Sequence, residues 1–491
     1  MNPIQQSVFD EITTTLNLQL NSDNQLKVIN SQPNIASPFS VNDVAVATYA
    51  VLGMAAAKLA NDRGIKSQSI TIDRRHAGNV LNGVAWHFQN HWQLDIHVVH
   101  TDINGFFQTA DGRQVIYNGA YPALRKIILD HLGSPNNRKY IAEATKKFQA
   151  EELEEDLSKK GACIAMARTA EEWSSHPQGK VLTDTPVIEL IKLSESEPIS
   201  LESAVRPLSN IKVLDLTKVI AGPTAGRILA EHGAEVLHVR HPYQDLIYPF
   251  DIETSYGKIN SYLDYSRPKQ KALLQELVKD ANVFLQGYRY GALAEAGFGP
   301  KELVKINPHL IYTQINAYGF TGPWAKRHGF EQLAQACTGA AAIQGGGLDT
   351  PSLVPAYMND YLTGYLAAIG TIAALLRQAQ EGGAWLVNVS LARTCMMIMD
   401  QDHQDLTAIK PSSLAELEPW LIDQDSSLGV LTRLKPPIEY SQTPMYANIP
   451  ASAPGSHLPQ WNNYKEKDII LPHYPTKCFK YLQQLGDMSL R

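Results

Sequence analysis

Cysteine is scarce in this sequence, and its distribution excludes a disulfide framework and a cysteine-based metal site. Only four cysteines occur among 491 residues, and they lie far apart: Cys163, Cys337, Cys395 and Cys478. Dense cysteine patterns are typical of small secreted domains, and zinc sites need closely spaced ligands. The sequence therefore favours a reducing compartment, and we expect a cytoplasmic protein with no metal.

The chain also lacks a long basic run, a signal-like N-terminus and a long apolar stretch. It carries 43 basic and 49 acidic residues, a net charge of −6, which argues against nucleic acid as the main partner. The first residues, MNPIQQSVFDEITTTL, contain neither a basic nor an apolar signal region. No stretch approaches the roughly 18 uninterrupted apolar residues of a membrane span. We expect no nucleic-acid or membrane partner.

Four histidines lie close together in the sequence and require a separate interpretation: His87, His91, His97 and His100. The first two have a spacing of four, which can place two imidazoles on one helix face, as zinc sites require. Aromatic residues interleave with them and no cysteine is near. Packed or hydrogen-bonded histidines are therefore the favoured interpretation.

Two apolar, alanine-rich segments, 43–60 and 360–377, resemble each other. Aligned without gaps, Asn42-Asp43 falls on Asn359-Asp360, and Gly53 falls on Gly370. The runs that follow, QSITID (68–73) and WLVNVS (385–390), also coincide. Similar composition alone could produce this match, but the shared Asn-Asp start favours a diverged internal repeat.

Strands and helices alternate after residue 210. IKVLDL is predicted as a strand, TAGRILAEHG as a helix and AEVLHV as the next strand, and the alternation continues to WLVNVSL. Such alternation predicts an α/β fold with a doubly wound, mostly parallel sheet covered on both faces. Ligands of such sheets bind beyond the carboxyl ends of the strands.

The turn after the first of these strands, Ala221 to Gly226, opens a helix whose free N–H groups could face a pyrophosphate. Two glycines four residues apart also suit plain turn chemistry. An NAD site needs an acidic residue about 20 positions later. Here the second strand ends in Arg240-His241, which suits a phosphorylated ribose, as in NADP or coenzyme A.

Asp360 begins a long apolar helix. On the residues alone it is an N-cap candidate, because aspartate commonly precedes such helices. An ionised nucleophile at this place would gain about 0.3–1 kcal/mol from the helix dipole.

These residues resemble the class III CoA-transferases, which include formyl-CoA and carnitine CoA-transferases. The resemblance is carried by VLDLTKVIAGPTAGRILAEHGAEVLHV (213–239), GKINSYLDY (257–265), GALAEAGFGPKEL (291–303), NPHLIYTQINAYGFTGP (307–323), FEQLAQACTGAAAIQGG (330–346) and NDYLTGYLAAIGTIAALLR (359–377). Weaker similarity covers 100–190, with RTAEEW, and YSQTPMYANIPASAPGSH (440–457). The small-domain-like part precedes the nucleotide-fold half, so the chain resembles a fusion or permutation of family parts.

With this resemblance, the chain divides into five predicted parts. They are an N-terminal segment that repeats the 360–398 unit (1–99), a small α+β domain (100–192), a linker (193–210), a Rossmann-like CoA-binding domain (211–400) and an irregular C-terminal wrapping segment (401–491).

The resemblance implies a transferase with Asp360 as nucleophile, acting on an acyl-CoA and a small carboxylic acid. The family's aspartate attacks the acyl-CoA carbonyl to give a mixed anhydride, and the released CoA thiolate then gives an enzyme thioester. The resemblance further implies a homodimer, with CoA as substrate and no permanently bound cofactor. Asp43 is the matching aspartate of the first repeat. The first repeat has Ala47 at the position that Gly364 occupies in the second repeat, and Asp43 is therefore predicted to be a structural cap.

The positions implied to contact CoA are Val219, Ile220, Ala221, Gly222, Arg240, His241, Lys258 and Tyr288. Gly287-Tyr288 replaces the family's Asn-Phe, and Glu295 stands where formyl-CoA transferase has an arginine, so formyl and oxalyl substrates are disfavoured. Lys258 could equally be a solvated loop lysine.

Four functions are compared at this stage. A CoA-transferase is favoured, and a non-catalytic CoA-binding or scaffolding relative is the alternative from another class. The racemase branch of the family has a histidine where this chain has Phe330, and a phenyl ring cannot abstract a proton. An NADP-dependent oxidoreductase fits least, because no catalytic Tyr-Lys pair stands out.

Overall fold

The computed structural model describes residues 1–20, 23–96, 101–406 and 409–462. The helices in this part are α1 (Pro3–Thr15), α2 (Val41–Asp62), α3 (Arg74–Val80), α4 (Pro122–Leu132), α5 (Arg138–Thr145), α6 (Ala150–Lys159), α7 (Ala170–Ser175), α8 (Pro177–Thr183), α9 (Ala221–Glu231), α10 (Tyr248–Glu253), α11 (Pro268–Lys279), α12 (Ala292–Glu295), α13 (Pro300–Ile306), α14 (Glu331–Thr338), α15 (Ala340–Gly345), α16 (Met358–Glu381), α17 (Leu391–Met399) and α18 (Leu414–Leu417).

The strands are β1 (Gln25–Ile29), β2 (Ser69–Asp73), β3 (Phe88–Gln89), β4 (Trp92–Gln93), β5 (Gly105–Gln108), β6 (Gln114–Tyr117), β7 (Ile164–Met166), β8 (Glu189–Lys192), β9 (Lys212–Leu216), β10 (Glu235–Arg240), β11 (Lys258–Tyr262), β12 (Val283–Gln286), β13 (Ile311–Asn316), β14 (Trp385–Ser390), β15 (Leu421–Ser426), β16 (Gly429–Leu434) and β17 (Ile438–Tyr440).

A seven-stranded sheet forms the centre of the fold, in the order β11-β10-β9-β12-β13-β14-β8. The first six strands are parallel, and β8 pairs with β14 in the antiparallel direction. Alternate residues of a strand point to opposite faces, and along β9 Val213 packs into the main core while Leu214 packs into a second core. The predicted doubly wound, mostly parallel sheet is confirmed.

A smaller α+β unit precedes this sheet, as predicted. Strands β5, β6 and β7 form a three-stranded antiparallel sheet, and the Asp111-Gly112 turn joins the first two. Gly112 has φ +76°, a conformation that glycine adopts without strain. Helices α4, α5 and α6 pack on this sheet around a separate apolar core.

The described part of the C-terminal segment is more regular than the sequence predicts. Strands β15 and β16 form a hairpin that extends through β3 and β4, and β17 pairs with β2. The expectation of an irregular wrapping segment over 401–491 is therefore wrong for these strands. β16 and β17 also pair with strands more than 300 positions earlier in the sequence, and local periodicity could not reveal those two pairings.

The two similar segments adopt the same local structure. Each is a long helix followed by a strand and a second helix: α2, β2 and α3 in one copy, and α16, β14 and α17 in the other. A Cβ on Gly53 would lie 2.9 Å from Ile70, and a Cβ on Gly370 would lie 2.4 Å from Val387. Because Ile70 aligns with Val387, the same helix–strand contact occurs in both copies, which supports the repeat.

The helices α2 and α16 are long and apolar enough to cross a membrane, but most of each apolar stretch is buried inside the protein. Both are core helices in this structure. Helix α16 packs against α9, where a Cβ on Gly364 would lie 2.6 Å from the carbonyl oxygen of Ala221. The small residue therefore lets two backbones meet at the beginning of both helices.

We expect Gly370→Val to destabilise the fold by about 1–3 kcal/mol, because the new side chain would overlap Val387. Urea unfolding of the purified variant measures this loss. The matched variant Gly53→Val should lose less, since its nearest contact is longer. Equal stability of Gly370→Val and the wild type would contradict the close contact.

Candidate active site

A cavity of about 470 Å³ lies at the carboxyl ends of the parallel strands. Residues that follow β9 and β12 line it, as does Asn316 at the end of β13. The small α+β unit contributes Tyr121, Leu124 and Cys163 to the opposite wall. The position is the one that the parallel sheet predicts for a ligand site.

Asp360 lies in the first turn of α16 and lines this cavity. Its side chain is largely buried, with the residue 6% exposed. Within the described residues its carboxylate has no hydrogen-bond or ion-pair partner. Burial and the nearby Glu331 carboxylate raise the pKa of Asp360 well above its usual value. The site therefore presents to a ligand a carboxyl group that accepts no hydrogen bond from the described chain, and its raised pKa favours the protonated form.

Glu331, the first residue of α14, is a site residue that the sequence reasoning missed. It accepts a hydrogen bond from the backbone N–H of Asp360 at 2.6 Å and one from Gln335 Nε2 at 2.7 Å. Burial raises the pKa of Glu331 to about 7. Two buried carboxyl groups that interact titrate as a pair, and the first proton to leave makes loss of the second harder. The only sequence signal was its place directly after Phe330.

Asp43, the repeat counterpart of Asp360, has a different environment. Its Oδ1 accepts hydrogen bonds from Asn2 Nδ2 at 2.8 Å and Gln5 Nε2 at 2.7 Å, and its Oδ2 pairs with Arg74. In the repeat alignment Arg74 falls on Leu391, which lines the cavity beside Asp360. The first copy neutralises its aspartate internally, as a structural role requires, whereas the second does not.

The turn between β9 and α9 forms one wall of the cavity. Val219 has φ +74°, which is an outlier for a β-branched residue and is typical of strained functional sites. No hydrogen bond within the described chain uses the backbone N–H groups of Val219, Ile220, Ala221 or Gly222. The beginning of α9 therefore offers free donors and a positive dipole end.

Five of the nine predicted site residues line the cavity: Val219, Ala221, Gly222, Tyr288 and Asp360. Ile220 does not line it, because its side chain is fully buried in the main core.

Arg240 and His241 also lie outside the cavity wall, contrary to the prediction of a phosphate-binding cation there. Arg240 is buried and pairs with Asp251, and His241 Nε2 lies 3.1 Å from Asp264 Oδ1. Both side chains thus contact acidic side chains of the protein, which local sequence could not show.

Lys258 is neither a nucleotide contact nor a solvated loop lysine in this structure. Its side chain is fully buried, and Nζ donates to Asp215 Oδ2 at 2.8 Å and to the carbonyl oxygen of Pro223 at 2.7 Å. Asp215 Oδ1 in turn accepts hydrogen bonds from the N–H and hydroxyl of Thr217. The lysine therefore fixes the two ends of the cavity turn, and the prediction of CoA contact is corrected to this positioning role.

Three basic residues of the cavity were not predicted, and one of them, Arg327, pairs with Glu155. Lys218 is partly buried, with Nζ 5.6 Å from the centre of the Tyr288 ring, and Arg289 is exposed at the rim. Both follow a strand of the parallel sheet directly or within three residues, which is the one signal that could have identified them.

The two described histidines of this cluster do not lie on a helix. His87 directly precedes β3 and His91 lies in the turn between β3 and β4, and the His87 ring is buried with Nε2 2.7 Å from Tyr256 Oη. His97 and His100 lie outside the described residues.

The comparisons with known proteins agree with this arrangement. Residues 208–414 match the model of CoA-transferase family III. It is 36% identical over 200 residues to acetyl-coenzyme A transferase nodX of Hypoxylon pulicicidum, over 40% of this chain and 34% of the relative. It is 30% identical to an acyl-CoA transferase of Gibberella moniliformis, over 58% of this chain and 53% of the relative.

A crystal structure of Rv3272 from M. tuberculosis aligns with a TM-score of 0.37 and 28% identity, over 42% of this chain and 60% of that one. The chain thus spans about a third to about half the length of the two curated relatives named above.

Because the pKa of Glu331 is raised in the folded protein, we expect the free energy of unfolding to depend on pH. Its folded pKa of about 7 exceeds the ordinary 4.5, so its stabilising contribution is fully present below about 4.5 and is lost as pH rises through 7. Between pH 5 and 8 this contribution changes the free energy of unfolding by an amount on the order of 2 kcal/mol. We expect Glu331→Gln to lose much of this pH dependence, as measured by urea unfolding. The exposed control Glu302→Gln should keep the slope, and a Glu331→Gln slope equal to that of the wild type would contradict the assignment.

We expect Lys258→Met to cost about 3–5 kcal/mol in unfolding free energy, because it leaves the Asp215 charge buried and unpaired. The double variant Lys258→Met/Asp215→Asn should recover part of that loss. If Lys258→Met unfolds at the wild-type urea concentration, the pair has no structural role.

Proposed function

We propose that the chain is a CoA-transferase that moves CoA from an acyl-CoA to a carboxylic acid, with Asp360 as nucleophile. The observation that carries the proposal is the unpartnered Asp360 carboxylate in a cavity at the strand ends, within the segment that matches family III. The names of several relatives support the substrate class. They include succinyl-CoA–L-malate CoA-transferase of Chloroflexus aurantiacus and succinyl-CoA:glutarate CoA-transferase of Mus musculus.

In the proposed reaction an Asp360 oxygen attacks the thioester carbonyl, and the C–S bond breaks to give a mixed anhydride and CoA thiolate. The thiolate then attacks the aspartyl carbonyl and releases the first acid, which leaves an enzyme thioester. An acceptor carboxylate attacks this thioester, and the same two steps run in reverse. The electron pair that leaves with sulfur returns with it, so no oxidant or base is consumed.

The environment of Asp360 is suited to this chemistry. The Glu331–Asp360 pair can hold one shared proton, and when that proton resides on Glu331 the Asp360 carboxylate is free to attack. The negative charge that develops on the thioester oxygen would lie near the free N–H groups at the start of α9. Phe330 also lines the cavity, and it offers no base for racemisation.

We further propose the homodimer that the resemblance implies, and a cytoplasmic location.

Trapping of the acyl-enzyme tests the proposal. The protein is incubated with acetyl-CoA, succinyl-CoA or butyryl-CoA and then with hydroxylamine, and the modified peptide is located by mass spectrometry. We expect a hydroxamate at Asp360, and a loss of CoA transfer of about a thousandfold or more in Asp360→Asn.

Asp43→Asn is the matched control, because Asp43 holds the same place in the first repeat. Its folded fraction should still be modified at Asp360. Absence of modification with all three acyl-CoAs would favour a non-catalytic CoA-binding relative.

A further inference from the structure

Lys218 is a cavity residue that the proposed chemistry does not use. It follows Thr217 after β9 and precedes the strained Val219, so its backbone is held where the strand ends. Its ammonium lies over the Tyr288 ring and is partly withdrawn from water.

Other cations close to the cavity are neutralised by the protein itself. Arg240 pairs with Asp251, and Lys258 pairs with Asp215. Arg327, which lines the cavity, pairs with Glu155. Lys218 differs from these three, because no acidic side chain of the described chain lies within ion-pair distance of it. Asp245 also lines the cavity and acts on Lys218 only at longer range. A partly desolvated ammonium without a counter-ion is unfavourable unless a ligand supplies the charge.

Besides its contact with the Tyr288 ring, Lys218 has an electrostatic effect on Cys163, which lines the inner wall of the cavity. Its positive charge partly offsets the effect of burial, which raises the pKa of the Cys163 thiol to about 12. Cys163 is fully buried and belongs to the small α+β unit. The exposed cation Arg289 lies at the rim instead. Lys218 and Arg289 therefore lie at different depths in the cavity. A solvated phosphate group would pair more favourably with the exposed Arg289.

We propose that Lys218 binds the free carboxylate of a dicarboxylic acyl group or acceptor, and so selects dicarboxylic over monocarboxylic substrates. This inference rests on the proposed function, because it assumes that the acyl group enters the cavity beside Asp360. The phosphates of CoA are the other anions that could meet this ammonium. An ion pair in such a site discriminates strongly, since a ligand without the carboxylate leaves the ammonium unpaired.

A pair of acyl donors of equal chain length tests the proposal. Succinyl-CoA ends in a carboxylate where butyryl-CoA ends in a methyl group. We expect Lys218→Met to lower kcat/KM for succinyl-CoA by roughly tenfold or more, and to leave that for butyryl-CoA unchanged or higher. Lys218→Arg should keep most of the preference, because it keeps the charge.

Arg289→Gln is the matched control, because it removes one positive charge from the same cavity. We expect Arg289→Gln to change kcat/KM for succinyl-CoA and for butyryl-CoA by the same factor. Equal losses for both donors in Lys218→Met would overturn the proposal and indicate contact with the CoA phosphates. An unchanged preference in Lys218→Met would overturn it as well.

Calorimetric binding separates this inference from the proposed function. Succinyl-CoA and butyryl-CoA are titrated into Asp360→Asn and into Asp360→Asn/Lys218→Met, where no turnover is needed. A loss of affinity confined to succinyl-CoA supports the role of Lys218 even if the wild type transfers nothing. Active transfer without any such loss would overturn the role of Lys218 and leave the proposed function intact.

Discussion

The buried contact of Lys258 with Asp215 and Pro223 is the interaction on which the shape of the cavity depends. It joins β11 to the end of β9 and to the first turn of α9, so three neighbouring elements share one ammonium. The chain between them carries the strained Val219 and the free N–H groups. Strain of this kind persists only where the surroundings fix the backbone, and the buried ion pair supplies that restraint.

The second constraint is the close approach of α16 to α9 at Gly364. It places the first turn of α16, and with it Asp360, beside the start of α9. The first copy of the repeat has Ala47 at the matching position and fills the space around its aspartate with Asn2, Gln5 and Arg74. The same helix start thus serves as a packed polar cluster in one copy and as a cavity wall in the other.

Local pattern was sufficient to predict the parallel sheet and the small α+β unit, because strand alternation and helix periodicity are local properties. The site position of Asp360 was predicted only through the family resemblance. It was insufficient for Lys258 and Arg240, whose positive charges look available in the sequence and are paired in the fold. Whether a cation is free depends on contacts between distant residues. Glu331 was missed for the same reason, since it meets Asp360 only when α14 packs against α16.

The walls of the cavity come from two stretches of one chain, the small unit at 101–188 and the sheet that follows residue 210. Because the two stretches are covalently connected, their effective concentration relative to each other does not depend on the protein concentration. These two described walls therefore come together within one folding chain. A site divided between two separate chains would instead be lost progressively as the protein concentration fell.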